Sequence, residues 1–221
     1  MCGRMTIATE QEVLEARFHA QAVEPIAKRY NAYPNHDKYK LPVITVEDPE
    51  HITMRYWGIV PVWWKRDTRG LINVKEETLR DKKIFQKDLT ERRCLVLADG
   101  YFEWRGERGH KIPYHIRLKS GEPFAFAGLY EENTINGTPM GTFAIITTEP
   151  NELMRTIHTR MPVILSKDAE AEWINPDTAP EQALEILAQD IPATTMEAYE
   201  VSKNVNRPTY DKADLLLPAA P

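Results

Sequence analysis

Arg92–Trp104 reads RRCLVLADGYFEW, and this stretch sets the architecture. Arg92 to Ala98 carries an apolar run rich in branched side chains, long enough for a buried strand and too short for a helix of ordinary length. Asp99-Gly100 is a turn pair. Tyr101 to Trp104 then opens a second strand of large side chains.

Working outward, the same grammar repeats. Leu41–Val46 and Ile52–Trp57 are read as strands joined through Asp48-Pro49-Glu50-His51. Pro113–Leu118, Phe124–Leu129, Thr142–Thr147 and Met161–Leu165 continue the series at the spacing of an antiparallel sheet or barrel. Helical patterns flank it. Thr9–Ala20 has Thr9 and Glu12 in capping-box positions. Glu149–Ile157 carries a Pro near its start, Ser166–Ile174 has Ser166 as N-cap, and Ala179–Gln189 completes the set. The segment from Leu215 on is expected to be loose. With no internal repeat and no low-complexity linker, the pattern predicts one α+β domain over residues 1–221, built on a strongly bent antiparallel sheet.

Composition narrows the function classes. The chain has 221 residues, 42% hydrophobic and 28% charged, with a formal net charge of −5. Nothing approaches the ~20 apolar residues a membrane-crossing helix needs, so no membrane association is expected. Cys2 and Cys94 supply neither a disulfide framework nor a zinc pattern, so no metal or other cofactor is expected and the reducing cytoplasm fits best. Charge is unevenly spread: residues 62–119 hold 15 Lys/Arg against 9 Asp/Glu, and residues 150–221 hold 6 against 12. The basic middle is either a solvated face or a phosphate-binding surface.

Several polar groups lie in strand-like surroundings. Glu103 sits between Phe102 and Trp104. Alternation either points it at water or holds it among aromatics, where lost solvation raises its pKa toward general acid–base work. His158 is a candidate proton shuttle or a plain structural imidazole. Asn73 either caps a turn or offers an amide to a substrate oxygen. Trp63, Trp64 and Trp104, with Lys75 and Lys83, either fill the core and face solvent respectively, or form stacking platforms beside cations as single-stranded nucleic acid requires.

At the start of the chain stands Met1-Cys2-Gly3-Arg4. Removal of Met1 ahead of a small residue leaves Cys2 as a 1,2-aminothiol, with an amine of pKa about 7.7–8.0 and a thiol of about 8.5. Such a pair condenses with an aldehyde to a five-membered thiazolidine. By itself Cys2 is equally readable as a small residue after the start Met.

Six segments in order change that balance: CGR (2–4), RYNAYP (29–34), WGIVPVWW (57–64), NVKEET (73–78), RRCLVLADGYFEW (92–104) and IHTRMPVIL (157–165). Together they resemble the SRAP (SOS response-associated peptidase) family, whose members shield abasic sites in single-stranded DNA. The resemblance implies a barrel-like bent sheet with flanking helices, and a mature N-terminus in a channel for single-stranded DNA. It implies Cys2 as the crosslinking nucleophile, Glu103 and His158 in proton transfer, and Asn73 orienting the sugar or Cys2. Arg4, Lys75, Lys83 and Arg160 become phosphate holders, Asn31 a polar neighbour in the channel, and Trp63, Trp64 and Trp104 base-contacting aromatics. The expected state is a monomer, cytoplasmic and nucleoid-associated when bound to DNA. Three departures stand out: Lys75 replaces the usual Arg, Met5 the usual Phe, and Tyr33 a usually smaller residue. They touch DNA affinity rather than the reactive groups, because Lys lacks the bidentate fork of Arg. Two other activities fit the same residues: a thiol autopeptidase or lyase using Cys2, and a non-covalent single-stranded DNA-binding module.

Overall fold

The structure, a computed structural model, describes residues 2–35, 38–59, 70–81, 86–107, 109–135, 138–189 and 191–219. Trp63, Trp64 and Lys83 lie outside the described residues.

The stretch that opened the reading forms β7 (Arg93–Ala98) and β8 (Gly100–Arg105), which lie in two different sheets. β7 belongs to a closed ring. It pairs with β10 (Phe124–Ile135) on one side and β4 (Leu41–Thr45) on the other. β4 pairs with β5 (Asp48–Trp57), and β10 forms a long hairpin with β11 (Thr138–Thr148). The ring closes where β5 runs parallel to β11, with Tyr56 opposite Thr142 and Trp57 opposite Phe143. Closure removes exposed edges from these five strands. The seam is filled by Trp57 stacked on Phe143, with ring centroids 6.1 Å apart. Its indole N–H donates to Ile72 O at 2.9 Å.

β7 is buried on both faces, which explains its unbroken apolar run. Inside the ring the packing leaves no room at Gly128, where an added Cβ would lie 2.8 Å from Val96 Cγ2 and 2.9 Å from Cys94 Sγ. Outside, α5 (Lys167–Trp173) lies over β7, and the Trp173 indole donates to Cys94 O at 2.9 Å.

The second sheet has the order β13–β9–β8–β1–β3, with β1 at Met5–Ile7, β3 at Arg29–Ala32, β9 at Ile112–Leu118 and β13 at Met196–Glu200. One apolar core runs through both sheets, taking in Met5, Ile7 and Ile116 along with the ring interior. The architecture is α+β on a strongly bent, barrel-like sheet. Parallel pairings at β5–β11, β2–β5 and β6–β11 make that sheet mixed rather than purely antiparallel; β2 is Gln21–Ala22 and β6 is Asn73–Lys75.

Several boundaries differ from the sequence expectations. The first helix, α1, spans Gln11–Phe18, with Glu10 at its N-cap and no side-chain cap. Thr9 does not cap it because its hydroxyl and N–H both donate to Asp99, at 2.9 and 2.8 Å. Asp48–His51 is part of β5, so the turn falls one step earlier. Glu149–Ile157 contains only the short α4 (Glu152–Arg155), capped by Asn151. Met161–Leu165 shortens to β12 (Met161–Pro162), followed by an isolated bridge between Ile164 and Phe126. Ser166 caps α5 as expected, accepting from Ala169 N. The segment expected to be loose is packed as far as it is described: Leu215 is buried, and Ala219 N donates to Glu200 O at 2.8 Å.

Candidate functional site

β1 is the device that places the chain start. It lies between β8 and β3, pairing Met5 with Tyr101 on one side and with Ala32 on the other. Beyond it the backbone continues along β8, where Phe102 N donates to Arg4 O at 3.1 Å. The Asp99 carboxylate holds the other end of β1, accepting from Thr6 Oγ1, Ala8 N, Thr9 N and Thr9 Oγ1. The turn residue read only as punctuation is therefore the anchor of the N-terminal segment.

Cys2 is buried, 1% exposed. Its carbonyl accepts from Asn73 Nδ2 at 2.8 Å, and its Sγ lies 3.8 Å from Arg4 O. Asn73 comes from β6, whose parallel pairing with β11 fixes its direction. The Asn73 Oδ1 atom is buried and has no hydrogen-bond partner among the described residues. Burial pushes the Cys2 thiol well above its ordinary value, and the nearby Glu103 charge adds to this.

Glu103 comes from β8 and is 2% exposed, so alternation turns it inward while the half-buried Trp104 follows. Burial raises its pKa, with the His158 charge pulling the other way. His158 Nε2 stands 3.8 Å from Glu103 Oε2. On the far side of the ring, Nδ1 lies 3.1 Å from Arg160 N and 3.2 Å from Arg160 O. Accepting from Arg160 N–H leaves the neutral ring's proton on Nε2, facing the carboxyl. When the ring is charged, Nδ1–H can donate to Arg160 O instead.

The structure thus brings Cys2, Asn73, Glu103 and His158 around one buried point. The other candidates divide. Arg4 Nη1 donates to Asn31 Oδ1 at 2.6 Å and to Val205 O at 3.2 Å, and its guanidinium lies over the Tyr33 ring, 5.2 Å from the centroid. Asn31 is buried, and its amide N–H groups are shared among Val205 O, Arg207 O and Tyr210 O. It braces the C-terminal segment from inside. Trp104 Nε1 donates to Asn206 Oδ1 at 2.8 Å. Lys75 is exposed at the end of β6. Arg160 donates to Thr147 O at 2.6 Å and forms a forked pair with Glu77, which stands in α2 (Glu76–Asp81) and whose carboxyl that pairing holds below the usual range.

Asp99, Glu77, Asn206 and the Val205 carbonyl were not singled out from the sequence. Only Asp99 carried a local signal, as half of a turn pair. The others contribute through contacts 83 to 201 residues apart in the chain, which no local pattern reports. Among the described residues no group of His, Cys, Asp and Glu could hold a metal ion, and no helix is long and apolar enough to cross a membrane.

The Cys2 thiol, the Glu103 carboxyl and the His158 imidazole thus lie together on a bent mixed barrel. The chain belongs to the SOS response associated peptidase (SRAP) family, which it matches over residues 1–208. Among its relatives, the abasic site processing protein YoqW of Bacillus subtilis is 41% identical over 223 residues, covering 98% of this chain and 99% of that one. The abasic site processing protein YedK of Escherichia coli is 31% identical over 197 residues, covering 88% and 86%. A crystal structure of a protein from Bacteroides thetaiotaomicron superposes with a TM-score of 0.87 at 26% identity, covering 99% of this chain and all of that one.

Proposed function

We propose that this chain shields abasic sites in single-stranded DNA by a covalent thiazolidine link through Cys2, once Met1 has been removed. The observation that carries the reading is the Asn73 amide holding the Cys2 carbonyl at 2.8 Å, with Glu103 near the thiol and His158 on Glu103. That contact fixes the aminothiol residue rather than merely burying it. The abasic-site activity in the names of YoqW and YedK supplies the substrate class.

The open sugar presents an aldehyde at C1′. The Cys2 amine adds to it, forming a C–N bond and, after proton transfer, a carbinolamine. The Glu103 carboxyl, its pKa raised by burial, donates a proton to the hydroxyl, which leaves as water and gives the imine. The Glu103 carboxylate then accepts the thiol proton, sulfur bonds to C1′, and the imine nitrogen takes up a proton. The net change is aldehyde plus aminothiol to thiazolidine plus one water. His158, with Nε2–H toward Glu103, returns protons to that carboxyl. In this reading the buried Asn73 Oδ1 accepts from the freed α-amine, so that the amide grips Cys2 at both ends. Holding both nucleophiles at one carbon supplies the proximity that free cysteine lacks. Lys75, Arg4 and Arg160 hold phosphates, Trp104 contacts bases, and the protein acts as a monomer.

The test is intact mass after incubation with an abasic-site oligonucleotide. Wild type should gain the oligonucleotide's mass less one water, without reductive trapping, and Cys2→Ala should gain nothing while still binding DNA. Equal adduct in Cys2→Ala would refute the assignment. A Met1 lost autocatalytically when methionine aminopeptidase is blocked would add the peptidase activity to it.

A further inference from the structure

A buried thiol that must react as thiolate needs a hydrogen-bond donor, because an unpartnered charge in the interior is costly. The donors near Cys2 are mostly engaged. Asn73 Nδ2 is on the Cys2 carbonyl, the Arg4 guanidinium is on Asn31 and Val205 O, and His158 Nε2 faces Glu103. Tyr101 differs. Its hydroxyl is fully buried and has no hydrogen-bond partner among the described residues. A phenol left so costs about 1–3 kcal/mol, a cost that an apolar ring would avoid.

Its place on β8 gives that hydroxyl a direction. Tyr101 and Glu103 are two apart on one strand and share a face, whereas Phe102 turns away into a separate cluster with Val201, Val205 and Leu215. Tyr101 lies opposite Met5, and its ring packs edge-on to Phe126 at 5.8 Å, in the same core that holds Cys2. We propose that the Tyr101 hydroxyl is the donor that meets the Cys2 sulfur as it becomes thiolate, making Tyr101 a further residue of the reaction. Burial, with the Cys2 and Glu103 charges behind it, raises the Tyr101 pKa well above its ordinary value, so the phenol keeps its proton at every working pH. The charges acting on the thiol are those of Glu103 from β8 and the amino terminus, and the thiol in turn acts on Tyr101; His158 stands on Glu103, and β6 offers the uncharged Asn73.

This inference deepens the covalent reading, and its test separates the two. Tyr101→Phe removes one oxygen with no partner to leave behind, so the fold should hold and Tm should stay level or rise. The rate of Cys2 alkylation by iodoacetamide, read by mass from the Cys2 peptide between pH 6 and 10, needs no DNA. The variant's profile should move to higher pH by half a unit or more, about three-fold slower alkylation at a fixed pH on the rising limb. Crosslinking to an abasic oligonucleotide should slow by a similar factor, with affinity for intact single-stranded DNA unchanged. Tyr101→Leu, also lacking the hydroxyl, should shift the profile the same way. Superimposable alkylation profiles for wild type and both variants would overturn the proposal, whatever the crosslinking yields. A shifted profile in a protein that forms no adduct would keep Tyr101 and remove the thiazolidine reading.

Discussion

Replacing Asp99 tests how β1, and with it Cys2, is held. The carboxylate receives four hydrogen bonds from Thr6, Ala8 and Thr9. Asp99→Ala leaves the Ala8 and Thr9 N–H groups without an acceptor. Both residues are half-buried, so water recovers part of the loss, and about 1–2 kcal/mol each, roughly 3 kcal/mol together, is expected. For a chain of this size that lowers Tm by roughly 6–12 °C. Asp99→Asn separates geometry from charge. Its carbonyl can stand in for Oδ2 toward Ala8 and Thr9 while its NH₂ donates to the Thr6 hydroxyl, so a loss of only about 1 kcal/mol is expected. The assays are thermal unfolding and, on folded protein well below Tm, the crosslinking rate. Asp99→Ala should crosslink at least ten-fold more slowly, because the start of the chain swings away from Asn73 and Glu103, and Asp99→Asn should stay near wild type. An Asp99→Ala protein with unchanged Tm and rate would show that strand pairing alone holds β1.

Three further outcomes are expected. A Glu103 carboxyl raised by burial opposes folding once it must ionise, so stability is lost as pH climbs from the unfolded value of about 4.3 toward the folded one; Glu103→Gln should therefore unfold at higher temperature than wild type at neutral pH, converge with it below about pH 4, and crosslink more slowly, as parallel Tm and rate measurements would show. Burial holds His115 down to about 3, so the native state refuses a proton that the unfolded chain accepts below about 6.5, and stability should fall by roughly 2 kcal/mol from pH 6.5 to 5; a His115→Gln protein should lose that slope in pH-dependent denaturation. Glu77→Gln should release Arg160 toward phosphate, tightening single-stranded DNA binding and steepening its log–log salt dependence by up to about 0.7; an unchanged slope in a salt titration would place Arg160 away from the DNA.

The legible part of the fold was the part encoded locally. Arg93–Ala98 could be read because both of its faces are buried, and Ser166 because an N-cap acts within three residues. Thr9 misled because a partner 90 residues away outcompeted the local cap. Ring closure was invisible, since the parallel contact of Trp57 with Phe143 joins strands 86 residues apart. At the site, alternation left the direction of Glu103 undecided; its burial beside His158, 55 residues further along the chain, settles it. Asn31, expected as a polar neighbour in the channel, also has its amide engaged by three carbonyls of a segment some 175 residues downstream, which no local pattern reports.

The position of β1 between β8 and β3 carries a consequence for the order of events during synthesis. β1 cannot complete its pairing until β8, about a hundred residues later in the chain, has also emerged from the ribosome. At translation rates of 5–20 residues per second that delay is on the order of 5–20 s. Throughout it the chain start is an open peptide that a processing enzyme can reach, and afterwards Cys2 is 1% exposed. Under the covalent reading proposed above, the Cys2 amine must therefore be freed before β1 is paired.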